Sequence, residues 1–129
     1  MIVLDTHVLL WWVFDPGKLS ETAQHTLAEV ERHGGFASAI SIWELAIKLK
    51  RGKLELPIGM EELVYRLERS AVIELLPVDT ATWLRSVSLR WDHRDPADRV
   101  IVATALMRNL PLLTKDAAVH AFPEVTCTW

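Results

Sequence analysis

Two kinds of apolar pattern alternate along this chain. Short apolar runs at residues 2–5 and 112–114 have the length and content of strands buried on both faces. Longer stretches carry helical spacing. Residues from Met60 to about Ser70 are amphipathic, with Leu63, Leu67 and Ala71 on one stripe. The stretch from Val100 to Met107 is apolar almost all round, as in a helix with no solvent face. Punctuation residues divide the rest. A helix runs from Thr6 to about Phe14 and ends in turn chemistry at Asp15-Pro16-Gly17. Ser20 caps a helix over about residues 21–32, ended by Gly34-Gly35. Phe36 to Ala39 is a short strand, and Ser41 opens a helix that stops at Gly52. Val72 to Val78 is strand-like, and Asp79 caps a helix over about residues 80–89. Pro96 stands in the first turn of a helix reaching about Arg108. A strand from Leu112 to Thr114, a short helix from Asp116 to about Phe122 and an edge strand from Val125 to Thr128 complete the chain. Strands alternating with helices predict an α/β domain with a central, mostly parallel sheet flanked by helices. With no repeat, low-complexity tract or long linker, residues 1–129 are expected to form one domain.

Composition narrows the setting. The chain is 50% hydrophobic, enough for a core, and its apolar runs are broken well short of a membrane span. The single cysteine, Cys127, excludes an internal disulfide and fits a reduced, cytoplasmic setting. A strand at the very N-terminus, with no basic region before it, argues against a signal peptide. The net charge of −3 does not mark a nucleic-acid binder, but the charges are unevenly placed. Lys48, Lys50, Arg51 and Lys53 follow Glu44, while Arg90, Arg94 and Arg99 surround Asp95 and Asp98. An acidic centre with a basic rim suits a phosphate chain; solvated helix ends account for the same basic groups equally well.

The candidate chemistry lies in four acids. Asp5, Glu44 and Asp116 fall where a strand hands over to a helix, and Asp98 opens one. Ligands of open α/β sheets bind at the carboxyl ends of the strands. Carboxylates gathered there repel unless they hold a cation or share protons. Oxygen donors suit Mg²⁺ or Mn²⁺, so the pattern points to a metal-dependent, phosphodiester-cleaving site. Each acid alone has a structural reading. Asp5, Asp95 and Asp116 are natural N-caps, Ser41-x-x-Glu44 matches a capping box, and Asp98 falls at the third position after the Asp95 cap. The five histidines form no ligand pair by spacing, which disfavours zinc, and His93 reads as a loop residue within reach of substrate or simply solvated.

The order Leu-Asp-Thr near the N-terminus, Ser-x-x-Glu at Ser41–Glu44, Asp-x-x-Asp-Arg at Asp95–Arg99 opening an apolar helix, and Leu-Thr-x-Asp at Leu113–Asp116 resembles a PIN domain. The segment His93-Arg94-Asp95-Pro96-Ala97-Asp98-Arg99 resembles the VapC-type toxin ribonucleases of toxin–antitoxin pairs. The resemblance spans essentially the whole chain. It implies a PIN-like three-layer fold and a catalytic, metal-holding set of Asp5, Glu44, Asp98 and Asp116. Asp95 is a secondary candidate, with Thr6, Ser41 and Thr114 as hydroxyls beside the site. It also implies Mg²⁺- or Mn²⁺-dependent RNA cleavage, a homodimer and a neutralising VapB-type antitoxin.

Other readings fit less well. A haloacid-dehalogenase-like phosphatase needs a second Asp two residues after the first, and His7 stands there. A receiver-like phosphoacceptor domain needs an early acidic pair that is absent. No Gly-rich phosphate loop and no serine elbow is present. A catalytically inactive PIN-like module that binds RNA or protein is the alternative, with the four intact acids against it. Among six tryptophans, Trp11, Trp12 and Trp43 lie on predicted helices near the site. Core packing is their default role. Adjacent Trp11 and Trp12 cannot both face inward, so a dimer face or an antitoxin groove along these helices is the sharper expectation.

Overall fold

The computed structural model describes all residues from Met1 to Trp129. Five short strands form its centre: β1 (Val3–Leu4), β2 (Gly35–Ser38), β3 (Ile73–Leu76), β4 (Leu112–Leu113) and β5 (Cys127–Thr128). Their order is β3-β2-β1-β4-β5 and every pairing is parallel, so the mostly parallel sheet expected is wholly parallel. Val3 pairs with Phe36 on one side and Leu112 on the other. The pleat sends Leu4, Ala37 and Leu113 into one apolar core and Val3, Phe36 and Leu112 into a second. Each face therefore has its own helical layer, which makes the three-layer fold. Helices α1 (Thr6–Phe14), α2 (Glu21–His33) and α4 (Met60–Ser70) supply the first core through Val8, Leu9, Leu27, Val30, Leu63 and Leu67. Helix α6 (Pro96–Met107) supplies the second through Val100, Ile101, Val102 and Ala105, with Val119 from α7 (Ala117–His120). Helices α3 (Ala39–Lys50) and α5 (Thr80–Ser88) complete the set. No helix is long and apolar enough to cross a membrane.

Most boundaries follow local chemistry. Ser20, Asp79 and Asp95 each cap a helix through a side-chain oxygen, as read from the sequence. Gly34 ends α2 at φ 83°, a left-handed conformation suited to glycine. Gly35 does not belong to that ending; it begins β2, where an added Cβ would lie 3.2 Å from the Ile2 carbonyl oxygen.

Two expectations are corrected and a third, the turn at Asp15-Pro16-Gly17, is kept and sharpened. Helix α3 begins at Ala39, and its cap is Ser38, whose hydroxyl accepts from the Ile40 N–H. Ser41 is therefore inside the first turn and Glu44 inside the second, so no capping box forms and Glu44 does not stand at the strand–helix junction. Ala71 leaves the stripe of α4: it is the exposed, left-handed C-cap at φ 56°. The loop at Asp15-Pro16-Gly17 tightens into a 3-10 turn over Pro16–Lys18.

Candidate active site

The strand order defines where a ligand binds. From β1 the chain moves through α1 and α2 to β2 on one side, while β4 lies on the other. The β1/β4 boundary is thus the point where the winding reverses, and a crevice opens there beyond the carboxyl ends of the strands. Asp5 follows β1 directly, and Thr114 and Asp116 follow β4.

Asp5 caps α1 and is locked by two hydrogen bonds. One oxygen accepts from the Thr6 N–H at 2.7 Å, and the other accepts from the Thr114 hydroxyl at 2.7 Å. The Thr114 oxygen in turn accepts from the Asp116 N–H at 3.1 Å, and Asp116 caps α7. A continuous polar chain therefore ties the ends of β1 and β4 together. On the other side, the Thr6 and Ser41 hydroxyl oxygens are 2.8 Å apart, which ties α1 to α3. Thr6, Ser41 and Thr114 are fully buried and Asp5 is 5% exposed. No buried side-chain nitrogen or oxygen lacks a partner. The Thr114 hydroxyl and the Thr6 N–H thus set the rotamer of Asp5, and the Thr6–Ser41 hydroxyl pair links the elements that carry Asp5 and Glu44.

Burial raises the Asp5 carboxyl above the ordinary carboxylate range; the bonds from Thr114 and Thr6 oppose that rise, and the Glu44 charge adds to it. Glu44 approaches from α3 and pairs with Lys48 at 3.8 Å. Lys48 also lies 3.5 Å from His7 Nε2.

Asp98 sits on the first turn of α6, where its N–H donates to the Asp95 cap at 3.0 Å. Its own carboxylate turns away to His93 Nε2, 2.6 Å distant. Burial pushes the Asp98 carboxyl up to about 6 against the His93 bond, and the negative charges of Asp95, Asp5 and Asp116 push it further. The Glu44 charge thus acts on Asp5, and the Asp5 and Asp116 charges act on Asp98, although these acids come from four separate parts of the chain.

His93 is the residue that spacing missed. The side chain is only 24% exposed and its ring stacks on Trp91 at 4.5 Å, while Trp91 stacks on Phe122 at 4.9 Å. Ligand atoms of His93, Asp98 and Asp116 lie within 4.8 Å of one another. Donors that far apart can be bridged by one cation at ligand distances of about 2.0–2.6 Å. Two carboxylates and one imidazole, with Asp5 adjoining, make an oxygen-rich donor set that fits a hard divalent cation. The sequence clue to His93 is its place five residues before Asp98, in the loop that leads into α6.

Arg99 also departs from expectation. It is not part of a basic rim. Its guanidinium donates to the carbonyls of Ser86, Trp91, His93, Val87 and Leu89 at 2.7–3.3 Å. One side chain therefore gathers the end of α5 and the loop that presents His93. Arg90 and Arg94 remain exposed.

The tryptophans divide. Trp11 and Trp12 are both half-buried. Trp11 lies 5.9 Å from the Trp129 ring, with Lys115 over its face at 5.7 Å. Trp12 lines a cavity with Leu19, Gln24 and Leu27, whereas Trp43 lines another beside Glu44 and Asp95. Trp12 and Trp43 therefore do not wall one groove.

A parallel α/β domain with carboxylates gathered at its switch point defines a class of candidate metal-site proteins. The chain belongs to the PIN domain family, whose sequence profile matches residues 2–125. It is 31% identical over 132 residues to Ribonuclease VapC22 of Mycobacterium tuberculosis, covering 99% of this chain and 98% of that protein. Among solved structures it is similar to FitAcB from Neisseria gonorrhoeae, with 25% identity and a TM-score of 0.68, covering 100% of this chain and 97% of that one. A toxin–antitoxin complex from Klebsiella pneumoniae shares the fold, with a TM-score of 0.64 at 20% identity over 98% of this chain and 96% of that one.

Proposed function

We propose that this protein is a metal-dependent endoribonuclease acting as the toxin of a type II toxin–antitoxin pair. The observation that carries the reading is the convergence of His93, Asp98 and Asp116 beside buried Asp5 at the switch point. The relatives named above agree with it. Asp5, Glu44, Asp98 and Asp116, with His93 beside Asp98, would hold Mg²⁺ or Mn²⁺, and Asp95 stays at the rim as the cap of α6. When bound, the cation supplies positive charge that polarises the scissile phosphate and acidifies water. The chain's own residues do the rest. Thr6 and Thr114 hold Asp5 in one rotamer, His93 fixes the direction of Asp98, and Lys48 balances Glu44. These contacts orient the acids before substrate arrives.

The reading predicts cleavage of single-stranded RNA with Mg²⁺ or Mn²⁺ and none with EDTA. It also predicts an acid limb. Asp98 is protonated below about pH 6, and a proton and a cation compete for the same oxygens. Activity at subsaturating metal should therefore fall as pH drops through about 6, and added metal should shift the limb to lower pH. Cleavage indifferent to EDTA, or an acid limb unmoved by metal, would overturn the proposal. RNA binding without any cleavage would instead support the inactive-module reading.

A toxin also needs restraint. The acidic cluster suits an antitoxin arginine, whose planar fork pairs with carboxylates. The row Trp83, Leu84 and Val87 on α5 is exposed and apolar, which suits a second copy of the chain. Co-expression with the protein encoded beside it should give a complex holding two copies of this chain and no nuclease activity. A monomer that stays active with that protein present would remove the partner assignment.

A further inference from the structure

Trp43 has no structural partner. It is 51% exposed, belongs to neither core, and no aromatic ring or cation covers it. Its outer face opens on a cavity of about 260 Å³ that runs along α3. Its lining is acidic at Glu44 and at Asp95, the cap of α6, and so borders the active site. The same lining is basic at Lys48, Arg51 and Lys53, farther along the chain than Glu44. Lys48 is half committed to Glu44, whereas Arg51 and Lys53 pair with no acid. Lys48 on α3 and Arg51 at its C-cap lie four and seven residues beyond Glu44, about 6 and 10 Å along the axis, or one to two nucleotide steps of a single strand.

From this juxtaposition we infer that the cavity is a nucleotide subsite for the RNA strand beside the scissile phosphate. The inference rests on the ribonuclease reading and deepens it. The base stacks on the Trp43 indole, and the adjoining phosphates meet Arg51 and Lys53. Cations at the end of a helix have an ordinary role in offsetting its dipole. That role explains neither an uncovered indole two turns away nor a wall shared with the acidic cluster. Stacking on an indole is open to every base, so the subsite adds affinity and register more than base identity. A protein partner is the less suitable occupant, because free cations beside an exposed ring match a phosphate chain.

The test uses a labelled single-stranded oligoribonucleotide with the full chain and Mn²⁺. Trp43→Ala should raise KM on the order of 10-fold and leave kcat nearly unchanged, with Trp43→Phe restoring most of the loss. Melting temperatures should not move, since the ring is outside both cores. The Arg51→Ala/Lys53→Ala double variant should weaken binding and flatten the slope of log KM against log salt by about 1.4, two lost contacts at about 0.7 each. Dissociation constants in an Asp5→Asn background give the same comparison without cleavage. If wild type cleaves and these variants bind and cleave as it does, the subsite is wrong and the ribonuclease reading stands. If wild type cleaves nothing, that reading fails, and equal affinities in the binding assay then overturn the subsite separately. Should Trp43→Ala spare RNA affinity and weaken only inhibition by the partner protein, the surface belongs to that protein and the inference falls.

Discussion

Asp5→Asn is expected to abolish metal-dependent RNA cleavage, by a factor on the order of 10³ or more, while the fold survives. The side chains are nearly isosteric, and the Asn carbonyl can still accept from the Thr6 N–H that Asp5 now binds at 2.7 Å. The amide nitrogen then faces Thr114, whose hydroxyl oxygen must accept from it as well as from Asp116. The charge that attracts the cation is gone. Stability should move the other way. Burial raises the Asp5 carboxyl in the folded state, so without metal the folded protein binds that proton more tightly than the unfolded chain does. The wild type therefore loses stability as pH rises beyond the carboxylate range, and the neutral amide does not. Metal-free Asp5→Asn should melt at or above wild type at pH 7.5, with the advantage shrinking as pH falls toward the ordinary carboxylate range at about 4 and gone below it. Metal-dependent activity equal to wild type, or a variant that fails to fold, would refute this account of Asp5.

Arg99→Ala is expected to cost stability and activity together. No acid neutralises this guanidinium; it is spent on five backbone carbonyls between Ser86 and His93. Hydrogen bonds from a charged donor are each worth more than a neutral bond, but several of these carbonyls can return to water. A net loss of about 3 kcal/mol follows, near 10 °C in melting temperature for a domain of this size. The released loop also frees His93 from Asp98. Misplacing a site group by about 1 Å can cost on the order of 10²-fold, so kcat should fall by that amount. Arg99→Lys should recover little, because an ammonium lacks the planar fork that reaches both arms of the loop. Thermal melts and single-turnover cleavage check the two halves. A variant that melts and cleaves like wild type would show that the loop holds itself.

The element order was legible because it depends on local chemistry. Caps at Ser20, Asp79 and Asp95, the Pro96 start and the two-sided apolar runs around Val3 and Leu112 act over a few residues, and the structure keeps them. The candidate acids were legible as residue types in order, and all four lie within residues 2–125, which match the PIN domain family. Sequence and structure part where two local solutions are nearly equal. Ser38 and Ser41 can each cap a helix, and what placed the boundary was the pairing of β2 with β3, which runs through Ser38 opposite Leu76. That choice moved Glu44 into the second turn and turned the Ser41 hydroxyl toward Thr6.

What no local pattern encodes is which distant groups meet. His93 lies in a loop without periodicity; its meaning comes from the Trp91 and Phe122 stack and from an Arg99 fork that reaches across the loop. Arg99 reads as surface charge until the carbonyls around it are seen. The raised carboxyls of Asp5 and Asp98 are likewise properties of burial and of charges brought together by the β1/β4 switch point. The sequence by itself determined the elements, their alternation and the acids available, because propensity, capping and periodicity are short-range. Only the tertiary structure decided the rotamers, the shared electrostatic field and the partners of His93 and Arg99, because those depend on contacts between residues far apart in the chain.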